Sequence, residues 1–292
     1  MSLRAQLWIV FLLPLLLVAG LLAFGLTIPV PHLGRGYVIT VDLPDGDRMA
    51  ELPTVYGPPD RSRPLVVIDA GHGGKDPGAS GASIREKNLV LGLALALKDA
   101  LLEQGGVRVA LTREDDRYLV LEERAEIARL LEADLFISIH ADSAGEVSGV
   151  SGASIYTLSE KASSEAAARF AERENNADKV NGVEVAGQSD AVNAILVELA
   201  QRRVQEESAE FAGLVLREGA GQLNFHPQPR RSASLAVLRA PDVPAVLYES
   251  GYITNPADAA RLASAEGRQV FADTLARAIR IYFARQTREQ GG

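Results

Sequence analysis

Hydrophobic residues fall into two alternating patterns from about residue 64 to the end of the chain. Short apolar runs, typical of buried strands, occupy residues 65–68, 107–111, 135–139, 153–157 and 245–248. Stretches with helical spacing lie between them, most clearly at residues 86–104 and 121–132. Apolar strands that alternate with helices predict an α/β domain, with a mostly parallel central sheet and helices on both of its faces.

Residues 160–218 depart from this alternation. They form a long stretch rich in Ala, Glu and Arg, broken at Asn175-Asn176 and by the polar segment 181–190. Apolar positions such as Leu199 and Phe211 give parts of the stretch a hydrophobic face, so we expect helices that pack rather than a disordered loop. We therefore predict a helical insertion within the α/β domain.

The N-terminal segment has a different character. Arg4 precedes an uncharged apolar run, residues 7–26, which is long enough to cross the hydrocarbon core of a membrane as a helix. We predict that residues 1–31 are a cleaved signal peptide or an N-terminal membrane anchor. Because the basic residue precedes the run, the rest of the chain should be extracytoplasmic, in the periplasm or cell envelope. Residues 32–63, rich in Pro, Gly and Asp, predict a linker to a folded domain at 64–292.

Composition limits the chemistry that the domain can perform. The chain has 292 residues and a net charge of −8, with four histidines and no cysteine. We expect no nucleic-acid partner, because phosphate neutralisation needs a basic surface. The lack of cysteine excludes thiol nucleophiles and Cys-ligated zinc, so any metal must be held by His and carboxylate side chains.

Two of the histidines follow predicted strands. His72 lies in a glycine-rich segment after the strand at residues 65–68, and His140 follows the strand at 135–139. Reactive groups in open α/β sheets gather at the carboxyl ends of strands, so both side chains should point into one crevice. Either residue by itself is also explained as a histidine satisfied within a turn, but the pair favours a metal site.

The third ligand of such a site is less certain from spacing. A hydrolytic zinc needs three protein ligands and one open position. Without cysteine the third should be a carboxylate, and Glu86 lies where the His72 loop turns into a helix. The spacing of Ser83 and Glu86 also fits a capping box, in which the Glu side chain caps the helix. From spacing alone the two interpretations stay open.

Among the other charged residues, Glu249 stands out. It directly follows the strand at residues 245–248, at the same predicted edge of the sheet. A carboxylate there is poorly placed for a hydrophobic core and well placed to accept a proton from water at a metal. We therefore predict that Glu249 is the catalytic base. For Arg113 and Arg124 a solvated face is at least as good an interpretation as a place in the site, so we leave both residues out of the site.

Four segments in this order resemble the zinc-dependent N-acetylmuramoyl-L-alanine amidases. They are residues 69–81 (DAGHGGKDPGASG), 86–88 (EKN), 135–142 (LFISIHAD) and 246–256 (VLYESGYITNP), and the match runs from about residue 64 to the C-terminus. The resemblance implies one Zn²⁺ ion held by His72, Glu86 and His140, with Glu249 as the catalytic carboxylate. It also implies hydrolysis of the bond between N-acetylmuramic acid and L-alanine in peptidoglycan, in cell separation or wall remodelling.

The helical insertion resembles one in the cell-division members of that family. There an inserted helix covers the site, reaches the zinc with a Glu and withdraws when an activator protein binds. Residues 174–178 (ENNAD) resemble part of that insertion, and Glu174 is the predicted plug. Glu172, Asp178 and Glu184 are competing candidates, and an ordinary solvated Glu is the alternative to any plug.

Two other functions stay open on these residues. The same ligands and base would serve a zinc peptidase that cuts the stem peptides of peptidoglycan. The other is a catalytically inactive peptidoglycan-binding module, although such a module has no need of Glu249.

Overall fold

A mixed six-stranded sheet forms the centre of the computed structural model, which describes residues 52–80, 84–145, 149–180 and 194–290. The strands are β1 (Leu65–Ala70), β2 (Arg108–Leu111), β3 (Leu135–Asp142), β4 (Ala153–Leu158), β5 (Phe225–Ala233) and β6 (Ala245–Tyr252). Their order across the sheet is β2-β1-β3-β6-β4-β5. The first four in that order are parallel, whereas β4 runs antiparallel to β6 and parallel to β5. The predicted α/β fold with a mostly parallel sheet is confirmed.

Helices cover both faces of this sheet. They are α1 (Glu86–Gln104), α2 (Leu121–Leu130), α3 (Glu165–Asn175), α4 (Ala177–Val180), α5 (Ala194–Gly219), α6 (Pro256–Ala263) and α7 (Ala265–Gln290). The first face packs against α1, α5 and α7 through a core that includes Val66 and Val246. The second face packs against α2 and α3 through residues such as Val67 and Leu247. A short 3₁₀ turn, Ala236–Leu238, follows β5 and joins the second layer.

One strand escaped the sequence analysis. No pattern in the sequence predicted β5, whereas helix α1, for example, begins and ends at the predicted residues. The sequence of β5, FHPQPRRSA, contains two prolines and two arginines, and most of its side chains are partly or fully exposed. Among the described strands it lies at the edge of the sheet and pairs with β4, so its sequence needs no regular alternation of apolar residues.

Three strands extend two or more residues beyond their predicted ends. β1 reaches Ala70, β3 reaches Asp142 and β6 reaches Tyr252. His140 and Glu249 therefore lie within paired strands, not in the loops after them, and are direct partners in the β3–β6 register. The strands continue through polar residues because their neighbours still satisfy the backbone hydrogen bonds.

The stretch predicted as an insertion divides between the two layers. Helix α3 lies on the second face, where Ala167 and Phe170 are buried. The C-terminal half of α5 belongs to the first face instead, where Phe211 and Leu214 are buried in the core. Residues 181–193 lie outside the described residues. A covering role over the site therefore concerns α3 and α4 rather than α5.

The segment before β1 follows the edge of the sheet. Tyr56 and Val109 exchange backbone hydrogen bonds of 2.7 and 2.9 Å, so this part of the predicted linker lies beside β2. The predicted signal peptide or anchor, residues 1–31, lies outside the described residues. Among the helices that the structure describes, none is long and apolar enough to cross a membrane.

A buried ion pair joins β1 to α2 beneath the carboxyl ends of the strands. Asp69 accepts three hydrogen bonds, from Arg124 Nη1 at 2.8 Å, Thr112 Oγ1 at 2.6 Å and Ser138 Oγ at 2.6 Å. Burial raises the pKa of Asp69, but Arg124 and the two hydroxyl donors outweigh burial and hold the pKa below its usual value. The carboxylate is therefore ionised in the folded protein.

Arg124 and Arg113 also hold the backbone of the loop after β1. Arg124 donates to the carbonyl oxygens of Ala70 and His72, each at 2.8 Å. Arg113 donates to those of Ala70 and Gly71, at 2.8 and 2.7 Å. Both side chains are buried, so the interpretation of a solvated face is wrong. Several backbone carbonyls replace water as partners of each guanidinium.

Replacing Arg124 with Met should lower the free energy of unfolding by about 3–5 kcal/mol, because Asp69 would be left as an unpaired buried charge. Arg129 on the same helix offers a matched control. It pairs with Glu126 and Asp242 at the surface, and Arg129→Met should cost about 0–1 kcal/mol. Urea denaturation measures both values. Similar losses at the two positions would contradict the account of a buried network.

Candidate metal centre

His72 lies in the loop after β1 and turns one ring nitrogen toward the carboxyl ends of the strands. Its backbone φ is 58°, a left-handed conformation that is uncommon outside glycine, and its carbonyl is held by Arg124. The Nδ1 atom is 2.8 Å from Asp76 Oδ2, and donation to that carboxylate leaves the lone pair of Nε2 facing the site. Nε2 is buried and has no hydrogen-bond partner among the described residues.

Glu86 brings a carboxylate oxygen between the two histidines. Its Oε1 lies 3.1 Å from His72 Nε2 and 3.2 Å from His140 Nδ1. The backbone N–H groups of Ala141 and Ala79 donate to Oε1 and Oε2, at 2.9 and 2.7 Å, and fix the carboxylate. The capping-box interpretation does not hold, because the N-cap of α1 is the residue before Glu86 and the carboxylate bonds outside the helix.

Glu174 approaches the same point from α3. Its Oε2 is 3.8 Å from His72 Nε2 and 3.6 Å from His140 Nδ1, and its side chain is 11% exposed. One atom from each of these three residues lies within 4.8 Å of the others, a grouping that is able to hold a metal ion. The two histidines thus face two carboxylates, one from α1 and one from α3.

The other acidic candidates of the insertion do not reach this cluster. Glu172 is exposed on α3, and Glu184 lies outside the described residues. Asp178 is buried but turned toward α2, where it accepts hydrogen bonds from the Tyr118 hydroxyl at 2.6 Å and the Leu121 N–H at 3.0 Å. Asp178 therefore fastens the insertion to the core.

Two glycines make room for the clustered side chains. A Cβ atom on Gly71 would overlap the ring of His140. A Cβ atom on Gly78 would lie 2.6 Å from His72 Cδ2 and 2.7 Å from Glu86 Oε2. Gly78 also has a φ of 64°, which other residues rarely adopt. The glycine-rich segment therefore allows close packing around the cluster as well as a sharp turn.

The ionised carboxylates of the cluster stabilise a positive charge placed between them. Burial lowers the pKa of His72, but Glu86, Asp76 and Glu174 outweigh burial and raise the pKa well above its usual range. Burial raises the pKa of Glu86, but the two histidines hold it well below its usual range. A divalent cation would meet the same stabilising field, because it also places positive charge beside the carboxylates.

Glu249 lies beside the cluster on β6, paired with His140 on β3. The residue is 2% exposed, and neither carboxylate oxygen has a hydrogen-bond partner among the described residues. Burial raises the pKa of Glu249 well above its usual range, and nearby carboxylates, Asp142 foremost, raise it further. A carboxyl group with a raised pKa takes up a proton more readily than an exposed glutamate does.

An open cavity of about 310 Å³ adjoins the cluster. Its walls include Pro77, Ala79, Ser143 and Ala177 as well as Glu174. The cavity gives a small ligand access to the cluster next to α3.

The chain has clear similarity to proteins of one family. The model of the N-acetylmuramoyl-L-alanine amidase family matches residues 66–280, a range that includes all the site residues described above. The chain is 37% identical over 232 residues to the N-acetylmuramoyl-L-alanine amidase AmiC of Neisseria meningitidis serogroup B. It is 36% identical over 221 residues to the N-acetylmuramoyl-L-alanine amidase AmiA of Escherichia coli K12. The chain belongs to the N-acetylmuramoyl-L-alanine amidase family.

A solved structure shares the fold of this amidase-family chain. The N-acetylmuramoyl-L-alanine amidase AmiC2 of Nostoc punctiforme is 30% identical, with a TM-score of 0.54, over 76% of this chain and 98% of that one. The match to the Neisseria relative covers 78% of this chain and 55% of the relative. The chain therefore spans little more than half the length of that amidase.

The sequence analysis did not identify three residues of the candidate site. Asp76 orients His72, Asp142 ends β3 within the site, and Arg173 pairs with Asp142 from α3. Asp76 had one signal, its position four residues after His72 in the glycine-rich segment. No signal in the sequence indicated the Arg173–Asp142 ion pair, because the two residues lie on elements that only the fold brings together.

Gly71→Ala should weaken the binding of a divalent metal ion at the cluster roughly 10- to 100-fold, because the added Cβ would displace the His140 ring. Gly213→Ala on α5 is the matched control, since a Cβ there meets nothing within 4 Å. Equilibrium dialysis against Zn²⁺ measures the difference, with thermal unfolding as the check on folding. Equal zinc affinities in the two variants would refute the packing argument.

Proposed function

We propose that this chain is a zinc-dependent amidase that cleaves the bond between N-acetylmuramic acid and L-alanine in peptidoglycan. The observation that carries the proposal is the convergence of His72 Nε2, His140 Nδ1 and Glu86 Oε1 beside the buried carboxylate of Glu249. The relatives in Neisseria and Escherichia are N-acetylmuramoyl-L-alanine amidases by name, which supports the choice of bond.

The set of donor atoms fits zinc. Two imidazole nitrogens and one carboxylate oxygen are a ligand set of catalytic zinc sites, and they leave a fourth position for water or substrate. Asp76 holds His72 in the tautomer that presents Nε2, as carboxylates commonly do behind metal-ligating histidines. When bound, zinc would lower the pKa of a coordinated water to about 7 and polarise the amide carbonyl.

Glu249 supplies the acid–base chemistry in this proposal. Its carboxylate accepts a proton from the attacking water and delivers that proton to the leaving nitrogen. Its raised pKa suits this role, because a carboxyl group that takes up a proton more readily than an exposed glutamate can hold the proton between the two steps. Without this transfer the amine would have to leave as an anion, which is a poor leaving group.

Peptidoglycan lies outside the cytoplasm, so the proposed reaction is extracytoplasmic. The apolar run at residues 7–26 supports export or membrane anchoring of the chain. We propose that the enzyme acts in the periplasm or cell envelope, in cell separation or wall remodelling.

We also propose that Glu174 keeps the site closed until an activator protein draws α3 away. The Glu174 carboxylate faces both histidines at the point where water and substrate would enter. Asn175 supports this position, since it donates to the Ser234 carbonyl at 2.7 Å and accepts from the Ala236 N–H at 2.8 Å. Asp178, four residues after Glu174, gives the same segment a second polar attachment to the core.

Digestion of purified peptidoglycan tests the amidase function directly. Release of intact stem peptides that begin with L-alanine is the expected result. Cut stem peptides would indicate a peptidase, and no products from an uninhibited variant would indicate a binding module. Glu249→Gln should slow release about 10²- to 10⁴-fold, because Gln cannot carry the proton, and should leave zinc binding intact. Unchanged hydrolysis by Glu249→Gln would overturn the role of this residue.

Glu174→Ala should raise hydrolysis in the absence of an activator by roughly tenfold or more, because the carboxylate no longer competes at the cluster. Tyr118→Phe removes only the hydroxyl group that donates a hydrogen bond to Asp178. It should raise the hydrolysis rate less, by about 3- to 10-fold. Glu172→Ala, on the exposed side of the same helix, is the control. Dye release from labelled peptidoglycan measures all three rates. No rise with Glu174→Ala, or an equal rise with Glu172→Ala, would disprove the plug.

A further inference from the structure

Asp142 is a buried carboxylate at the site without a part in the chemistry so far. It ends β3 two residues after His140, and the register between β3 and β6 shifts between these two residues. Its exposed fraction is 8%. Its register partner is Tyr252 on β6, the strand that also carries Glu249. Asp142 thus lies beside both the metal cluster and the proposed base.

Arg173 on α3 neutralises this carboxylate. Arg173 Nη2 forms an ion pair with Asp142 Oδ1, and the Ser143 N–H donates to the same oxygen at 2.5 Å. The Arg173 side chain is 51% exposed, with its guanidinium carbon 5.3 Å from the centroid of the Phe170 ring. Asp142 is the buried partner of the pair. Loss of the ion pair would therefore destabilise its carboxylate far more than the guanidinium of Arg173.

Two adjacent residues of α3 therefore bring opposite charges to neighbouring points of the site. Glu174 directs a carboxylate at the two histidines, and Arg173 directs a cation at Asp142. The Arg173 Nε and Glu174 Oε1 atoms are only 3.5 Å apart. Hydrolysis of an amide gives the same pair of charges, a carboxylate on the acyl half and an amine that is mostly ammonium at neutral pH.

We propose that Asp142 is a further catalytic residue, which binds the scissile amide nitrogen and then the ammonium group of the released L-alanyl peptide. In the closed state Arg173 fills this amine subsite, and Glu174 fills the place of the new carboxylate. The inference rests on the proposed amidase function. Withdrawal of α3 removes Arg173 and leaves a buried carboxylate without that cation, which is costly unless substrate N–H groups replace it.

The role of Asp142 follows the charge that develops on nitrogen. The oxygen of water bonds to the carbonyl carbon and its proton passes to Glu249, which delivers it to the nitrogen, so that the nitrogen becomes positive. The C–N bond then breaks, its electron pair stays on the nitrogen as a neutral amine, and this amine takes up, through solvent, the proton that the new carboxylic acid releases. Asp142 accepts hydrogen bonds from this nitrogen throughout and exchanges no proton. The hydrogen bond to Asp142 strengthens as the nitrogen becomes positive. It therefore stabilises the transition state more than the bound substrate.

Binding of the dipeptide L-Ala-D-Glu tests the subsite without any turnover. In the zinc-loaded full chain carrying Arg173→Gln, titration calorimetry should show the free-amine dipeptide binding at least roughly tenfold more tightly than its N-acetyl form. Adding Asp142→Asn should abolish that preference. Arg169→Gln, at an exposed arginine of the same helix, should bind the dipeptide as weakly as the unmodified chain. No preference in Arg173→Gln, or a preference that survives Asp142→Asn, would overturn the proposal.

Kinetics separate a catalytic role from mere fastening of α3. In the Glu174→Ala background, Asp142→Asn should lower kcat at least roughly tenfold and change KM less than about threefold. If Asp142 only fastened α3, its substitution would leave the rate unchanged or raise it. Circular dichroism checks the fold of the double variant, and the Arg173→Gln titration decides the matter if that variant does not fold. If the Glu174→Ala variant itself releases no L-alanyl peptides, the amidase proposal is rejected. If that variant is active and adding Asp142→Asn leaves its rate unchanged, only the subsite is rejected.

Discussion

Crowded negative charge at the carboxyl ends of β1, β3 and β6 is the constraint on which the rest of this site depends. Glu86, Asp142 and Glu249 are all buried there, and buried carboxylates are unfavourable unless cations or hydrogen-bond donors accompany them. Backbone N–H groups, two imidazoles and Arg173 offset part of the charge. A divalent cation at the histidines would offset much of the remainder, which includes the carboxylates of Asp142 and Glu86 that raise the pKa of the buried Glu249.

The site combines a rigid cluster with a separable cover. The cluster lies on paired strands and on the first turn of α1, and Arg124 and Arg113 hold the loop of His72 from below. The cover, α3, is attached near the site by the side chains of Asn175 and Asp178 and by the pair with Asp142. Moving α3 would also remove Ala167 and Phe170 from the core, so an activator would have to offset that loss with contacts of its own, while the cluster keeps its geometry.

The sequence predicted the fold and most of the site where a physical pattern was local. Apolar runs located five strands, and the strand ends brought His72, His140 and Glu249 to one edge of the sheet. Glu86 stayed ambiguous, because a helix start and a metal site use the same residue type at the same spacing. β5 and Arg124 were missed for a common reason: exposed edge strands and buried arginines have no distinctive local pattern, and only tertiary partners reveal them.

Anomalous diffraction on either side of the zinc absorption edge tests the central claim most directly. Crystals of the full chain grown with Zn²⁺ should show one strong peak in contact with His72 Nε2, His140 Nδ1 and the Glu86 carboxylate, with Glu174 as the fourth contact. A peak held by Glu174 with Glu86 turned away, or no peak between the histidines, would contradict the assignment of the metal centre.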